Sequence, residues 1–409
     1  MGNVSLNEAS LEEYKPIIGE KKVQEIRALA EKLSAQKVCH INSTSYGGGV
    51  AEILHRLVPL MNAVGLKAEW KTIEGSQEFF TVTKSIHNGL QGMAVHFSED
   101  MKKNYSLTNQ LNADELNLDH DLVVIHDPQP AAIIGYYRQR LGKWVWRCHI
   151  DLSNPNIEAM NFISPFLQQY DSLIFTMDQY VPQLMRHKNI AIITPSIDPL
   201  SAKNSILQES TTLSVLDKFD VNPEKPIITQ VGRFDPWKDP TGTIDVYRLV
   251  KKRIPDLQLL LIAIMARDDP EGWTYYEKTA RHAGNDYDIH LLTDLVGVRD
   301  VEVNAFQRAS DVALQMSTRE GFGLTVTEAL WKGVPVVGRG VGGIPLQIIN
   351  EETGFLIETV PEAAEKCLYL INHKIKAKEM GKKGKEHVLR NFLITGHLEN
   401  YLKLFGKLK

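Results

Sequence analysis

Between Asp311 and Val337 the chain reads strand, glycine turn, helix, strand, and few folds accept that order in so short a space. Asp311 to Met316 is an apolar run of strand length that gives way to the small-residue turn Glu320-Gly321-Phe322-Gly323. From Leu324 to Trp331 the apolar residues fall at helical spacing, Gly333 ends the helix, and a second apolar run reaches Val337 past Pro335. Strands alternating with helices in this way build parallel, doubly wound sheets. The turn leaves backbone N–H groups free at a helix N-terminus, where an anion is favoured. Glu320 in the turn and Glu328 one turn into the helix frame that cradle. A carboxylate beside a phosphate repels it, so the two acids suit neutral hydroxyls. A phosphate cradle flanked by two hydroxyl acceptors fits a nucleotide sugar.

The same strand-to-turn arrangement recurs along the chain. Lys37 to Asn42 reads as a strand, followed by a loop containing Gly47, Gly48 and Gly49 and a helix from Ala51 to about Val64. The strict dinucleotide fingerprint fails here, because the position that needs a small residue is Glu52. Glu69 lies where a dehydrogenase would carry its ribose acid, which keeps that reading as an alternative. Asp121 to Ile125 is a buried strand with His126, Asp127 and Gln129 at its carboxyl end, where ligands of open parallel sheets gather. Trp144 to Cys148 repeats the pattern and ends in His149 and Asp151. The segment from Phe79 to Gly92 is too polar for a pure core helix. Lys84, His87 and Asn88 either reach a sugar pocket from it or sit on a surface helix. After strand Ile227 to Val231 comes Gly232-Arg233, with Lys238 five residues on, and the loop from Ala266 to Trp273 is of the kind that lines a nucleotide. Asp286 and Asp288 match an Asp-x-Asp metal motif only superficially, since they precede a strand instead of following one.

With 409 residues the chain accommodates two domains, and 43% hydrophobic with 23% charged residues is ordinary for a globular protein. A net charge of -4, spread along the chain, gives no case for nucleic acid or membrane. Cys39, Cys148 and Cys367 are widely spaced among strand-like neighbours and read as buried thiols, without a metal set or a disulfide framework. The N-terminus lacks the apolar core of a signal peptide, and the longest apolar run, Leu257 to Ala266, is about half a membrane span. A cytoplasmic protein is expected. The composition changes over residues 200–225, so the expected organisation is a helical extension 1–36, an N-terminal Rossmann-like domain 37–205, a C-terminal one 206–390, and a helix 391–409.

Glu320 and Glu328 around Gly321-Phe322-Gly323, with Gly333-Val334-Pro335 after them, resemble the signature of the retaining GT-B glycosyltransferases of the glycogen-synthase-like group. The stretches Asn42 to Glu52, His126 to Pro130, Trp146 to Ser153, Pro195 to Pro199 and Arg233 to Lys238 narrow this, and look like the trehalose glycosyltransferring synthases. The resemblance implies two Rossmann-like domains facing across a cleft, with the terminal helix crossing back. It implies that Glu320 and the turn amides hold the transferred sugar, that Glu328 holds the nucleotide ribose, and that Gly232, Arg233 and Lys238 neutralise the donor diphosphate. His149 would touch the transferred sugar, with Gly48 and Gly49 against the donor. Asp127, Gln129 and Asp151, together with Lys84, His87 and Asn88, are the candidates for the acceptor side. The chain departs from the wider group at Asp239-Pro240, where glycine is often found after the lysine.

The implied reaction joins nucleoside-diphosphate-glucose and glucose into α,α-trehalose with retention. The resemblance implies that Glu320, His149, Arg233 and Lys238 carry the chemistry. Magnesium is allowed but not required, the partners are small sugars, and a homodimer is the assembly left open. Two alternatives accompany this reading: a trehalose phosphorylase using inorganic phosphate, and a sugar-nucleotide-binding protein without turnover.

Overall fold

A computed structural model describes residues 2–46, 48–263, 265 and 270–409, so residues 266–269 of the loop 266–273 that sequence assigned to a nucleotide lie outside it. The chain forms two compact units: Met1–Ser196 with Ile394–Lys409, and Ile197–Leu393. The expected boundaries are 205, from composition, and 390, from the resemblance. The polar stretch after Ser196 contains a helix, Glu209–Lys218, whose Val215 and Leu216 pack beside Val303 and Phe306 of helix Asp300–Ala309, and this anchors it in the second unit.

Seven strands form the sheet of the first unit: β1 (Gly2–Asn3), β2 (Lys37–Asn42), β3 (Lys67–Thr72), β4 (Leu122–His126), β5 (Lys143–Arg147), β6 (Ser172–Phe175) and β7 (Ile190–Ile192). Their order is β1-β3-β2-β4-β5-β6-β7, parallel throughout except for β1, which pairs antiparallel to β3. Residues 1–36 therefore contribute a strand as well as helices, and Gly19, at φ +81, breaks the helical stretch between Ile18 and Glu20.

Alternation along the strands sorts two faces. Cys39, Ile41, Val123, Ile125, Trp144 and Trp146 enter one apolar core. On the other face His40, His126 and Arg147 are buried instead of apolar residues. That face meets the terminal helix Ile394–Leu408, whose Tyr401 ring lies edge-on to His40 at 5.8 Å.

The second unit has six parallel strands: β8 (Ile227–Val231), β9 (Gln258–Ala263), β10 (Ile289–Thr293), β11 (Val312–Gln315), β12 (Val336–Arg339) and β13 (Gly354–Ile357), in the order β10-β9-β8-β11-β12-β13. Both faces are apolar, with Ile228, Leu259 and Leu261 in one cluster and Ile227, Leu260 and Ile262 in another. That is why these strands read as continuous hydrophobic runs. The C-terminal segment forms two helices, Lys374–Asn391 and Ile394–Leu408, and the second belongs to the first unit. Among the described residues no helix is long and apolar enough to cross a membrane. All three cysteines are buried and free.

Candidate active site

In the second unit the strand order reverses at β8, which lies between β9 and β11. The crevice at the carboxyl ends of β8 and β11 is the position where open parallel sheets hold ligands. Two loops meet there, 232–239 after β8 and 316–323 after β11. The Thr318 N–H donates to the Trp237 carbonyl at 2.7 Å, and the Arg319 guanidinium lies 5.0 Å above the Trp237 ring.

These contacts bring Lys238 against Glu320: Nζ pairs with Oε2, with the side chains 15% and 10% exposed. The Ser317 hydroxyl donates to the same carboxylate oxygen at 3.2 Å. Gly323, at φ +85, opens helix Leu324–Trp331. A Cβ there would lie 3.1 Å from Glu320 Cγ, so glycine serves both the backbone turn and the room for the acid. Phe322 is buried, and its carbonyl accepts from the Gln347 side chain.

Asp235 organises the cations. Its Oδ1 accepts the Lys238 N–H at 2.9 Å, and its Oδ2 stands 3.2 Å from Arg233 Nη2. The Arg233 side chain is 68% exposed, whereas that of Lys238 is 15% exposed, so the two cations differ in how far they stand in solvent. Asp239, where the wider group often has glycine, adopts the left-handed region at φ +47. Aspartate tolerates that conformation and adds a cap that glycine lacks, accepting the Gly242 N–H at 2.9 Å. Glu328 sits in the following helix, 1% exposed, with Lys203 Nζ at 3.6 Å.

The first unit reverses between β2 and β4. The loop after β2 is tied down at its start. Asn42 donates to the Thr44 carbonyl at 2.7 Å and accepts from Trp70 Nε1 at 2.7 Å, while His55 meets the Ser45 carbonyl at 3.0 Å. Gly48 and Gly49 form the first turn of helix Gly48–Ala63.

Asp127, just past β4, is held in the left-handed region at φ +63. Its N–H donates to the Arg147 carbonyl at 2.8 Å, its carbonyl accepts from Trp146 Nε1 at 2.9 Å, and its Oδ1 accepts the His149 N–H at 2.8 Å. Strain pinned by this many bonds is a feature of functional loops. Burial pushes the Asp127 carboxyl up to about 6 against the pull of the His149 N–H and of Arg147.

His149 Nε2 lies 2.9 Å from His126 Nδ1, and His126 Nε2 lies 2.9 Å from His40 Nδ1. Burial, reinforced by neighbouring positive groups, holds His126 and His149 well below the usual histidine range and puts His40 at about 3. The three rings are therefore neutral at physiological pH.

The remaining expected residues are more dispersed. Lys84 lies on the exposed face of helix Gln77–Leu90, whereas His87 and Asn88 are half-buried. Gln129 is half-buried, its carbonyl receiving Asn109, and Asp151 accepts the Ser153 N–H at 2.8 Å. Sequence reasoning did not single out His40, Arg147, His397 or Tyr401. Their signal was a polar residue on one face of successive strands, at positions 40, 126 and 147, where a sheet covered on both sides calls for apolar ones.

Cys39, Glu69 and His120 are the group of potential metal ligands that the described residues bring within reach of one ion. Glu69 Oε1 is already met by Lys71 Nζ at 2.8 Å and by His120 Nε2 at 2.9 Å, and a lysine at that distance opposes a second cation. Asp286 and Asp288 share Lys251, at 2.7 and 2.8 Å, and act as a structural clasp.

The chain matches two family descriptions: "Trehalose synthase, N-terminal domain" over residues 40–182, and "Glycosyl transferases group 1" over residues 215–387. It is 58% identical over 398 residues to a trehalose synthase of Thermococcus litoralis, covering 97% of this chain and 96% of that one. A trehalose phosphorylase of Pleurotus pulmonarius is 29% identical, covering 85% of this chain and 54% of its own length. Among solved structures, the trehalose-6-phosphate protein of E. coli bound with UDP-2-fluoro glucose superposes with a TM-score of 0.72 at 15% identity, over 91% of this chain and 99% of that one. At that identity the likeness concerns the fold, which is GT-B.

Proposed function

Since the chain belongs to the trehalose synthase family of glycosyltransferases, we propose that it moves glucose from a nucleoside-diphosphate-glucose onto free glucose, forming α,α-trehalose with retention, in a reversible reaction. The observation that carries this reading is the pairing of Lys238 with Glu320 at the switch crevice, with Arg233 held nearby on Asp235. A departing diphosphate gathers negative charge, and fixed cations lower the barrier to its departure. On donor binding, diphosphate oxygens replace the Glu320 carboxylate as the partner of Lys238, and Arg233 closes from its exposed position. Glu320, released, accepts hydrogen bonds from the sugar hydroxyls, and the buried Glu328 accepts them from the ribose. Residues 151–157 and 320–328 reveal no covalent nucleophile with an obvious partner. The departing phosphate oxygen therefore takes the acceptor proton as the new bond forms on the same face.

On the first unit His149 is assigned to the transferred sugar. Asp127, Gln129, Asp151, Lys84, His87 and Asn88 are assigned to the acceptor. The likeness to a protein solved with UDP-2-fluoro glucose supports a nucleotide-sugar donor. The test is an incubation of nucleotide-glucose with glucose, followed by NMR of the anomeric protons. The expected product is α,α-trehalose with stoichiometric nucleoside diphosphate. A β linkage would contradict retention, and donor binding without any product would leave a binding protein.

A further inference from the structure

The row His40–His126–His149 crosses from β2 through β4 to the loop after β5, with ring nitrogens 2.9 Å apart at both joints. A neutral imidazole has one N–H and one lone pair. Two such joints in series allow only two proton orders. In one, each ring carries its proton on Nδ1: His40 donates to His126, His126 donates to His149 Nε2, and His149 Nδ1–H is left to donate outward. In the other, every proton sits on Nε2 and His149 presents a lone pair. One ring cannot change order without the other two.

The far end decides between them. His40 Nε2 is buried and has no hydrogen-bond partner among the described residues. The second order would leave an N–H donor orphaned there, and the first a lone pair. The rest of that buried face is already rich in unpaired donors: all three nitrogens of the Arg147 guanidinium are buried without partners among the described residues, as is the Tyr401 hydroxyl, which can donate or accept. The layer is short of acceptors, so a lone pair on His40 Nε2 relieves the shortage and an N–H deepens it.

We propose that His40 and His126 are positioning residues that hold His149 as the Nδ1–H tautomer, so that it meets its ligand as a hydrogen-bond donor. The functional consequence rests on the role given to His149 above, whereas the tautomer itself does not. The donor order suits a sugar oxygen, and the cost of building it is met inside the fold, before any substrate arrives.

The test begins with the wild-type enzyme labelled with 15N-histidine, in which long-range 1H–15N correlation reads the protonated nitrogen of each ring. Rings are assigned by single substitutions. His40, His126 and His149 should all carry Nδ1–H, and an Nε2–H or cationic His149 would overturn the proposal. The second arm compares His40→Leu, which removes the end donor, with His40→Gln, whose amide N–H can replace it. His40→Leu should give His149 a mixture of tautomers and lower kcat/KM by about three- to tenfold, the cost of one neutral hydrogen bond. His40→Gln should restore both. An unchanged His149 tautomer in His40→Leu would also overturn the proposal, and if that variant does not fold, the wild-type spectrum alone decides. Full transfer activity in His149→Ala, beside the expected spectrum, would leave the tautomer standing and remove the role assigned to His149.

Discussion

In the proposed reaction Glu320 and the donor diphosphate compete for one ammonium group, and that competition has a sign that can be measured. In the free enzyme Lys238 is paired with Glu320, both side chains mostly buried. Two unit charges about 4 Å apart at an effective dielectric near 20 interact by about 4 kcal/mol. A diphosphate must displace that carboxylate and then lie near it. Glu320→Gln removes the competitor and the repulsion while keeping the shape of the side chain. We expect nucleoside diphosphate to bind about 1–3 kcal/mol tighter, roughly 5- to 150-fold, while sugar transfer falls. Lys238→Met should weaken the same ligand by about 2–5 kcal/mol, roughly 30- to 4000-fold, and Arg233→Ala should cost less because that side chain is 68% exposed before the ligand arrives. In the double variant Glu320→Gln should act differently than it does alone, since the competition for the lysine is gone and only the repulsion is relieved. Calorimetric titration of the four proteins at one ionic strength gives the cycle. Tenfold weaker binding in Glu320→Gln, or strict additivity, would refute the exchange of partners.

Glu328→Gln should weaken nucleoside diphosphate by about 1.5–3 kcal/mol, the worth of hydrogen bonds to a charged group, without altering glucose binding; equal losses for both ligands would detach it from the ribose. Transfer should survive excess chelator, because Lys238 and Arg233 supply the charge, and loss of activity restored by magnesium would assign the leaving group to a metal. Stability should fall as the pH drops below about 6.5. Folding lowers the proton affinity of buried His40, His126, His149 and His397, with His40 and His397 at about 3, so their stabilisation is full above the ordinary histidine value and is lost toward the folded one. Asp127, raised to about 6, runs the other way, contributing most below the ordinary aspartate value and losing that contribution as the pH rises through 6. Near pH 5 the unfolded chain therefore holds about three protons more, and chemical denaturation should show a slope of about 4 kcal/mol per pH unit, reduced in His40→Leu; a flat profile would mean the rings are hydrated.

Much of the architecture was legible because a parallel sheet buried on both faces writes its strands as continuous apolar runs. The strand from Asp311, the turn at Glu320 and the helix from Leu324 stand close to where periodicity puts them. Strand β1 was not legible, since two residues, Gly2 and Asn3, carry no period. The unit boundary at Ser196 was hidden by the polar surface of helix Glu209–Lys218, which resembles a linker until its Val215 and Leu216 are seen to be buried. Within the site, motif spacing brought Lys238 and Glu320 forward as separate residues. That they pair depends on β8 and β11 being neighbours, which only the sheet order supplies. The row of histidines was invisible for the same reason: His40, His126 and His149 are far apart in sequence and become adjacent only through the registers of β2, β4 and β5.

The central claim is that a nucleoside diphosphate, and not inorganic phosphate, is the group exchanged with trehalose. Cations at the crevice serve either, but only a nucleotide brings a ribose for the buried Glu328. The decisive measurement is trehalose breakdown with nucleoside diphosphate or inorganic phosphate as the sole co-substrate. Nucleotide-glucose and glucose are expected from the first and nothing comparable from the second. Glucose 1-phosphate formed from phosphate alone, faster than the nucleotide reaction, would contradict that claim.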